Sequence, residues 1–133
     1  SAPRSRPATG QRLDGRPVRA RTLSPSITAL ARLRGARGVV VTSVRDALPI
    51  ESSAHVDVDV DALAAFATAL HRRAHQSAEC SEAGAVRLLS LDAAAGRLMA
   101  AARGELLIVV LAGREANPGL LRVSLQRALE GLG

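Results

Sequence analysis

The chain has 133 residues, of which 18 are basic and 12 acidic, and every basic residue is an arginine. This length suffices for one domain that buries a hydrophobic core without covalent cross-links. Its single cysteine, Cys80, excludes an internal disulfide framework and fits a reducing compartment, so we expect a cytoplasmic protein. No apolar run reaches the length of a membrane span, and the N-terminus lacks the apolar region of a signal peptide.

The net charge of +6 is concentrated at the N-terminus. Residues 1–22 hold six arginines and one aspartate, which leaves a net charge of +1 for residues 23–133. Three prolines, two glycines and no apolar periodicity predict a basic tail that is disordered unless docked, followed by one domain. Because Phe66 is the only aromatic residue, the domain lacks stacking platforms for single-stranded nucleic acid, and we expect nucleic-acid contact only through the tail.

The first third of the domain predicts a short helix followed by a β-hairpin. Ser24 and Pro25 form a helix start, in which a capping hydroxyl precedes a proline at the first helical position. The continuous β-branched run in 38–44 predicts a strand buried on both faces. A second strand is predicted over 48–52, and Pro49 favours its placement at the edge of a sheet.

The longest amphipathic pattern runs from residue 60 to residue 78 and predicts a central helix. Its predicted core face contains Val60, Leu63, Ala64, Phe66, Ala67, Leu70 and Ala74. Its predicted outer face contains Asp61, Thr68, Arg72, Gln76 and Glu79. On the side away from the core, a second apolar line is formed by Ala62, Ala65 and Ala69. Either this line lets another helix approach closely, or alanine favours the helix on a solvated face, and periodicity leaves both interpretations open.

Three strands and a last helix are predicted after the central helix. The strands cover 85–91, 97–102 and 106–111, and the third should lie in the middle of the sheet because it is the most apolar run in the chain. Asn117 and Pro118 begin the last helix with a cap residue and a proline. The predicted order is α-β-β-α-β-β-β-α, an α+β domain in which three helices pack on a five-stranded antiparallel sheet.

Alternating acidic residues before the central helix suggest a calcium loop that would start at Asp57. Such a loop requires glycine at Ala62 and glutamate at Thr68, and the sequence fails at both positions. Acidic residues here are better explained by the positive end of the helix dipole that follows them. We therefore expect no calcium site.

His71 and His75 stand one helical turn apart, and Glu79 and Cys80 follow them. This spacing could hold zinc, or could pair a thiol with a base, but an ordinary surface pair and a partly buried cysteine are the stronger interpretations. The chain also lacks the phosphate-loop, dinucleotide and nucleophile-elbow motifs. We predict no catalytic residue, metal or cofactor.

Four short segments together resemble the roadblock family, the dynein-light-chain type of domain that is also widespread in bacteria. They are GVVVTS at 38–43, DALPI at 46–50, LAA at 63–65 and ANPGLLR at 116–122. The resemblance spans the chain from about Ser24 to Leu132. It has two departures, since family members commonly have glycine where Ala47 stands and leucine where Pro118 stands.

The resemblance implies a roadblock/profilin-like fold and a homodimer. In such dimers the strand after the central helix pairs with its copy, and the two central helices lie side by side. Carried onto this sequence, the resemblance implies a dimer interface made of Ala62, Ala65, Ala69, Val86, Leu88 and Ser90.

The resemblance also implies a function, since family members are scaffolds and regulators of small Ras-like GTPases, including activators in bacteria, rather than hydrolases themselves. We expect such a GTPase to bind a surface that includes Arg72, Arg73 and Gln76. A second hypothesis is a dimerising module whose arginine-rich tail binds nucleic acid or an acidic membrane surface. A third is an enzyme that uses a metal or the Cys80 thiol.

Overall fold

The computed structural model describes residues 25–131. The helices and strands, in chain order, are α1 (Pro25–Ala31), β1 (Ala36–Ser43), β2 (Pro49–Ala54), α2 (Val60–Cys80), β3 (Leu88–Ala93), β4 (Gly96–Arg103), β5 (Leu106–Gly113) and α3 (Pro118–Gly131). This confirms the predicted order and the predicted α+β class. The predicted basic tail, residues 1–22, lies outside the described residues.

All neighbouring strands of the five-stranded sheet pair in the antiparallel sense, in the order β2-β1-β5-β4-β3. The most apolar strand, β5, is central and is paired on both sides, as the sequence predicts. The strand that contains Pro49 is an edge, where a residue without a backbone N–H is tolerated. The second edge is β3.

Helices cover both faces of the sheet, and β1 supplies alternate side chains to each layer. Val39 and Val41 join the core beneath α1 and α3, together with Ile108. Val40 joins the core beneath α2. All three valines are almost completely buried, which explains why β1 reads as one continuous apolar run.

Both long helices begin with a side-chain cap. The Asp59 carboxylate accepts a hydrogen bond from the Ala62 N–H at 3.0 Å, and the Asn117 side-chain oxygen accepts one from the Leu120 N–H at 3.0 Å. These caps satisfy backbone donors that have no partner within the helix. The predicted start of the last helix is therefore confirmed at Pro118.

The buried side of α2 differs from the predicted one at two positions. Phe66 is 51% exposed, whereas Thr68 is completely buried. The Thr68 hydroxyl donates to the Ala64 carbonyl at 2.7 Å, so its burial leaves no polar group unsatisfied. Cys80 was also expected to be partly buried, but it is exposed as the last residue of the helix.

The strand after α2 begins three residues later than the pattern predicts. Val86 precedes it, and β3 starts at Leu88. A two-residue turn at 94–95 places Ala93 opposite Gly96, and this turn fixes the register of the hairpin. Neither turn residue is one of the residue types typical of two-residue hairpin turns, so no local signal predicted the register.

Candidate functional site: an exposed apolar helix face and an open strand edge

The outer face of α2 is apolar although it is exposed. Ala62, Ala65 and Ala69 are all exposed, and Phe66 lies among them. Leu63 and Ala67, on the inner face, are buried against the sheet. Thus α2 has two apolar sides, one of which has no cover within the described residues.

The second feature of the site is the open sheet edge formed by β3. The strand pairs with β4 on one side only. Leu91 stands opposite Leu98, which belongs to the core beneath α2, so Leu91 is on the α2 side of the sheet and is 40% exposed. An uncovered edge strand can pair with another chain through its outward N–H and C=O groups.

The three predicted interface residues near β3 occupy different environments. Val86 is half-buried ahead of the strand. Leu88 packs against the core beneath α1 and α3. Ser90 is exposed and lies opposite Met99 of that same core, hence on the face away from α2. The structure therefore brings the three alanines together on one helix face but places Leu88 and Ser90 on the other side of the sheet.

The three predicted partner-surface residues also differ. Arg72 donates from Nε to the Val44 carbonyl at 3.1 Å and from Nη2 to the Arg45 carbonyl at 2.7 Å. It therefore fastens α2 to the turn that follows β1. Arg73 and Gln76 are exposed and form no side-chain hydrogen bond with residues 25–131, so they remain accessible to a partner.

Phe66 and Leu91 were not assigned to the surface by sequence reasoning. Both residues belong to the apolar pattern of their helix or strand, and that pattern predicted that their side chains would be buried. A usable signal was the isolation of Phe66 as the only aromatic residue. A large exposed aromatic side chain surrounded by alanines is typical of a protein-protein contact.

The histidine pair on α2 shows no metal-site geometry. The rings of His71 and His75 stack with centroids 6.2 Å apart, and His75 Nε2 lies 3.6 Å from a carboxylate oxygen of Glu79. Burial, and secondarily the neighbouring His75, lowers the pKa of His71. Nowhere between residues 25 and 131 do three or more potential metal ligands gather.

A small cavity of about 280 Å³ opens on the opposite side of the sheet, at the start of α3. It is lined by Arg97 and Asp92, which form an ion pair, and by Arg114. The hydrogen bond from Arg97 lowers the pKa of Asp92, so this carboxylate is poorly suited to act as a base. This cavity shows no pairing of a nucleophile with a base.

An antiparallel sheet between helix layers, with an uncovered apolar helix face and an open strand edge, defines a small α+β domain. The Roadblock/LC7 domain family model matches residues 26–112, and the chain belongs to this family. An uncharacterised protein of Methanocaldococcus jannaschii, MJ1340, is 29% identical over 101 residues, which cover 76% of this chain and 88% of that protein.

Several solved structures share the fold, among them the following three. A Roadblock/LC7 domain from Streptomyces avermitilis superposes with a TM-score of 0.75 at 21% identity and covers 83% of this chain and 93% of that one. MglB of Myxococcus xanthus superposes with a TM-score of 0.73 at 17% identity, and the match covers 80% of this chain and 88% of that one. The gliding protein MglB of Thermus thermophilus superposes with a TM-score of 0.71 at 17% identity, and the match covers 80% of this chain and 82% of that one.

Between residues 25 and 131, none of the helices combines the length and the apolar character needed to cross a bilayer. The longest, α2, has 21 residues but carries charged side chains through its second half.

Proposed function

We propose that the chain is a homodimeric scaffold and regulator of a small Ras-like GTPase. The observation that carries the proposal is the uncovered apolar face of α2 on the same side of the sheet as the exposed Leu91 of the open edge strand β3. Membership of the Roadblock/LC7 family, a family of small-GTPase regulators and scaffolds, supports the same function.

In the proposed dimer, β3 pairs with its copy and the two α2 helices lie alongside each other. Ala62, Ala65 and Ala69 permit a close approach because they have no bulk beyond Cβ. Phe66 would then be covered by the partner helix, which removes a large apolar side chain from water. Leu88 and Ser90 would contribute through the pairing of strand backbones, since Leu88 already packs inside its own subunit, and Val86 would contribute from the segment ahead of the strand.

The proposed GTPase surface follows the second half of α2, beyond the alanines. Arg73 and Gln76 would contact the partner directly, because both side chains are exposed and uncommitted within residues 25–131. Arg72 would act by holding the Val44–Arg45 turn against the helix. It would therefore shape the docking surface rather than supply its main charge.

Light scattering coupled to size exclusion tests the dimer. We expect about twice the chain mass of 13.8 kDa at about 10 µM, and the mass of a single chain for Ala65→Glu, which buries a charge at the contact. The matched control is Ala29→Glu, at an exposed position of α1. A wild-type monomer, or an unchanged mass for Ala65→Glu, would contradict the proposed interface.

A pull-down against the purified small GTPases of the source organism, each loaded with GDP or with a GTP analogue, tests the partner. We expect one GTPase to bind the wild-type chain and to be lost with the double variant Arg73→Glu and Gln76→Glu. The control is Arg122→Glu with Gln126→Glu, on the exposed side of α3. Should no GTPase bind, or should both double variants lose it equally, the proposed surface is wrong.

A further inference from the structure

The second sheet edge, β2, also presents unpaired backbone groups. The His55 N–H donates to the Arg37 carbonyl at 2.9 Å, and the register continues with Ala54 opposite Gly38. In an antiparallel ladder, alternate residues direct their N–H and C=O groups toward the neighbouring strand. Ser52 and Ala54 therefore direct theirs away from the sheet, where nothing in residues 25–131 pairs with them.

The side chains of β2 differ between its two faces. Glu51 stands opposite Val41 and so lies on the face covered by α1 and α3. It is half-buried and belongs to none of the ion pairs formed within residues 25–131, and burial raises its pKa. On the other face, Ile50 is 56% exposed. The strand thus combines an unpaired acid on one face with exposed apolar surface on the other.

The N-terminal segment has the complementary pattern. In residues 17–23, PVRARTL, the arginines Arg19 and Arg21 alternate with Val18 and Ala20. In an extended conformation this alternation places Arg19 and Arg21 on one face, together with Leu23, and it places Val18, Ala20 and Thr22 on the other. The segment therefore matches the acid on one face of β2 and the apolar surface on the other.

The start of α1 lies at the end of the sheet where β2 begins. Ser26 is close to Gly131 at the end of α3, since a Cβ added to Gly131 would lie 3.0 Å from the Ser26 hydroxyl. The end of α3 in turn accepts a hydrogen bond from Arg103, at the end of the sheet where β2 begins. Because α1 also contacts β2, a chain that arrives at Pro25 can run antiparallel to β2.

We propose that residues 17–23 add to the outer edge of β2 as a sixth, antiparallel strand. Arg19 and Arg21 then lie on the face of Glu51 and neutralise its charge, while the alternate side chains cover Ile50. The added strand closes one edge of the sheet and leaves β3 as the edge available for self-pairing, so the tail determines which edge a second copy can use. This inference is independent of the GTPase proposal.

Amide hydrogen exchange of the full chain and of a chain lacking residues 1–22 tests the added strand. We expect the Ser52 and Ala54 amides to exchange about tenfold or more slowly in the full chain, because only there do they donate hydrogen bonds. Amides of the central strand β5, which is paired on both sides within the sheet, serve as the control and should be unaffected by the deletion. Equal exchange of Ser52 and Ala54 in the two chains overturns the proposal.

Charge variants of the full chain distinguish the added N-terminal strand from any other molecule bound at the β2 edge. Arg19→Glu with Arg21→Glu should abolish the protection, and adding Glu51→Arg should restore it. Arg12→Glu with Arg16→Glu changes the net charge equally and should leave the protection intact. Protection that disappears on dilution would place a second copy at this edge, and protection that requires added nucleic acid would assign the tail to that partner; either result overturns the proposal.

Discussion

Arg72 on α2 donates hydrogen bonds to the carbonyl oxygens of Val44 and, at 2.7 Å, of Arg45, which are 28 and 27 residues away in sequence. The Val44 N–H donates in turn to the Glu105 carbonyl at 2.8 Å. The end of β1 is therefore held from two directions, by the helix above the sheet and by the neighbouring hairpin. This turn lies beside the surface that we propose for the partner.

Replacing Arg72 should lower the free energy of unfolding. Arg72→Ala removes charge-assisted hydrogen bonds to two carbonyls, and we expect a loss of about 1 kcal/mol because the site is exposed. Arg73→Ala, one position further along the same helix, makes no such bonds and should change stability by less than about 0.5 kcal/mol. Urea unfolding at one fixed protein concentration measures the free energy of unfolding of both variants. Equal losses would contradict the role of Arg72 in holding α2 to the turn after β1.

Ala47, where family members commonly have glycine, adopts a left-handed backbone conformation with φ of +61°. This conformation costs a residue with a Cβ about 1 kcal/mol, and glycine relieves it at some expense in unfolded-chain entropy. Ala47→Gly should therefore stabilise the protein by about 0.5 kcal/mol. Its thermal unfolding midpoint should rise accordingly.

Ala54→Gly provides the matched control for Ala47→Gly. It makes the same chemical change in the extended strand β2, so it gives the unfolded chain the same added freedom without relieving strain. We expect it to destabilise by about 0.5–1 kcal/mol. If both variants shift the midpoint in the same direction, the backbone at Ala47 is not strained.

The element order and the central strand were predictable because they depend on local pattern. Asn117 and Pro118 mark a helix start through their own chemistry, and the continuous apolar run of β5 requires cover on both faces. Thr68 was mispredicted because its burial depends on a hydrogen bond to Ala64, which polarity scales do not register. The periodic pattern identified α2 but did not locate the centre of its buried face.

The candidate site was less predictable than the fold because it depends on relationships between distant residues. The alanine line was visible in the sequence, but its meaning was not, since solvated alanines look the same. The bonds from Arg72 to the turn after β1 span 27 and 28 residues and leave no local trace. The open edge of β3 was implied only by the resemblance, in which this strand pairs with its copy, and it is seen in the strand order, in which β3 has a single neighbour.

Gly35 should be far less tolerant of substitution than Gly84, although both have positive φ. A Cβ at Gly35 would lie 2.7 Å from the Ala116 Cβ, whereas a Cβ at Gly84 would have no neighbour within 4 Å. We expect Gly35→Ala to cost about 2–4 kcal/mol and Gly84→Ala about 1 kcal/mol, the difference being steric crowding. Denaturant unfolding measures both, and similar losses would show that Ala116 can move aside.

His71 should make the fold less stable in mild acid. Burial, and next the neighbouring His75, lowers the pKa of His71 from its ordinary value of 6.5, so the unfolded chain takes up this proton more readily than the folded one. The resulting stability is present above the unfolded pKa and is lost as the pH falls through the folded pKa. His71→Gln should therefore reduce the stability lost between about pH 7 and pH 5.

Unfolding in denaturant across this pH range measures the effect, and His55→Gln, at an exposed position ahead of α2, is the control. All carboxylates are common to the three chains, so their titration cancels when the pH profiles are compared. The His55 variant should follow the wild-type profile more closely than the His71 variant does. If the wild-type and His71→Gln profiles coincide, the helix does not hold this imidazole in its neutral form.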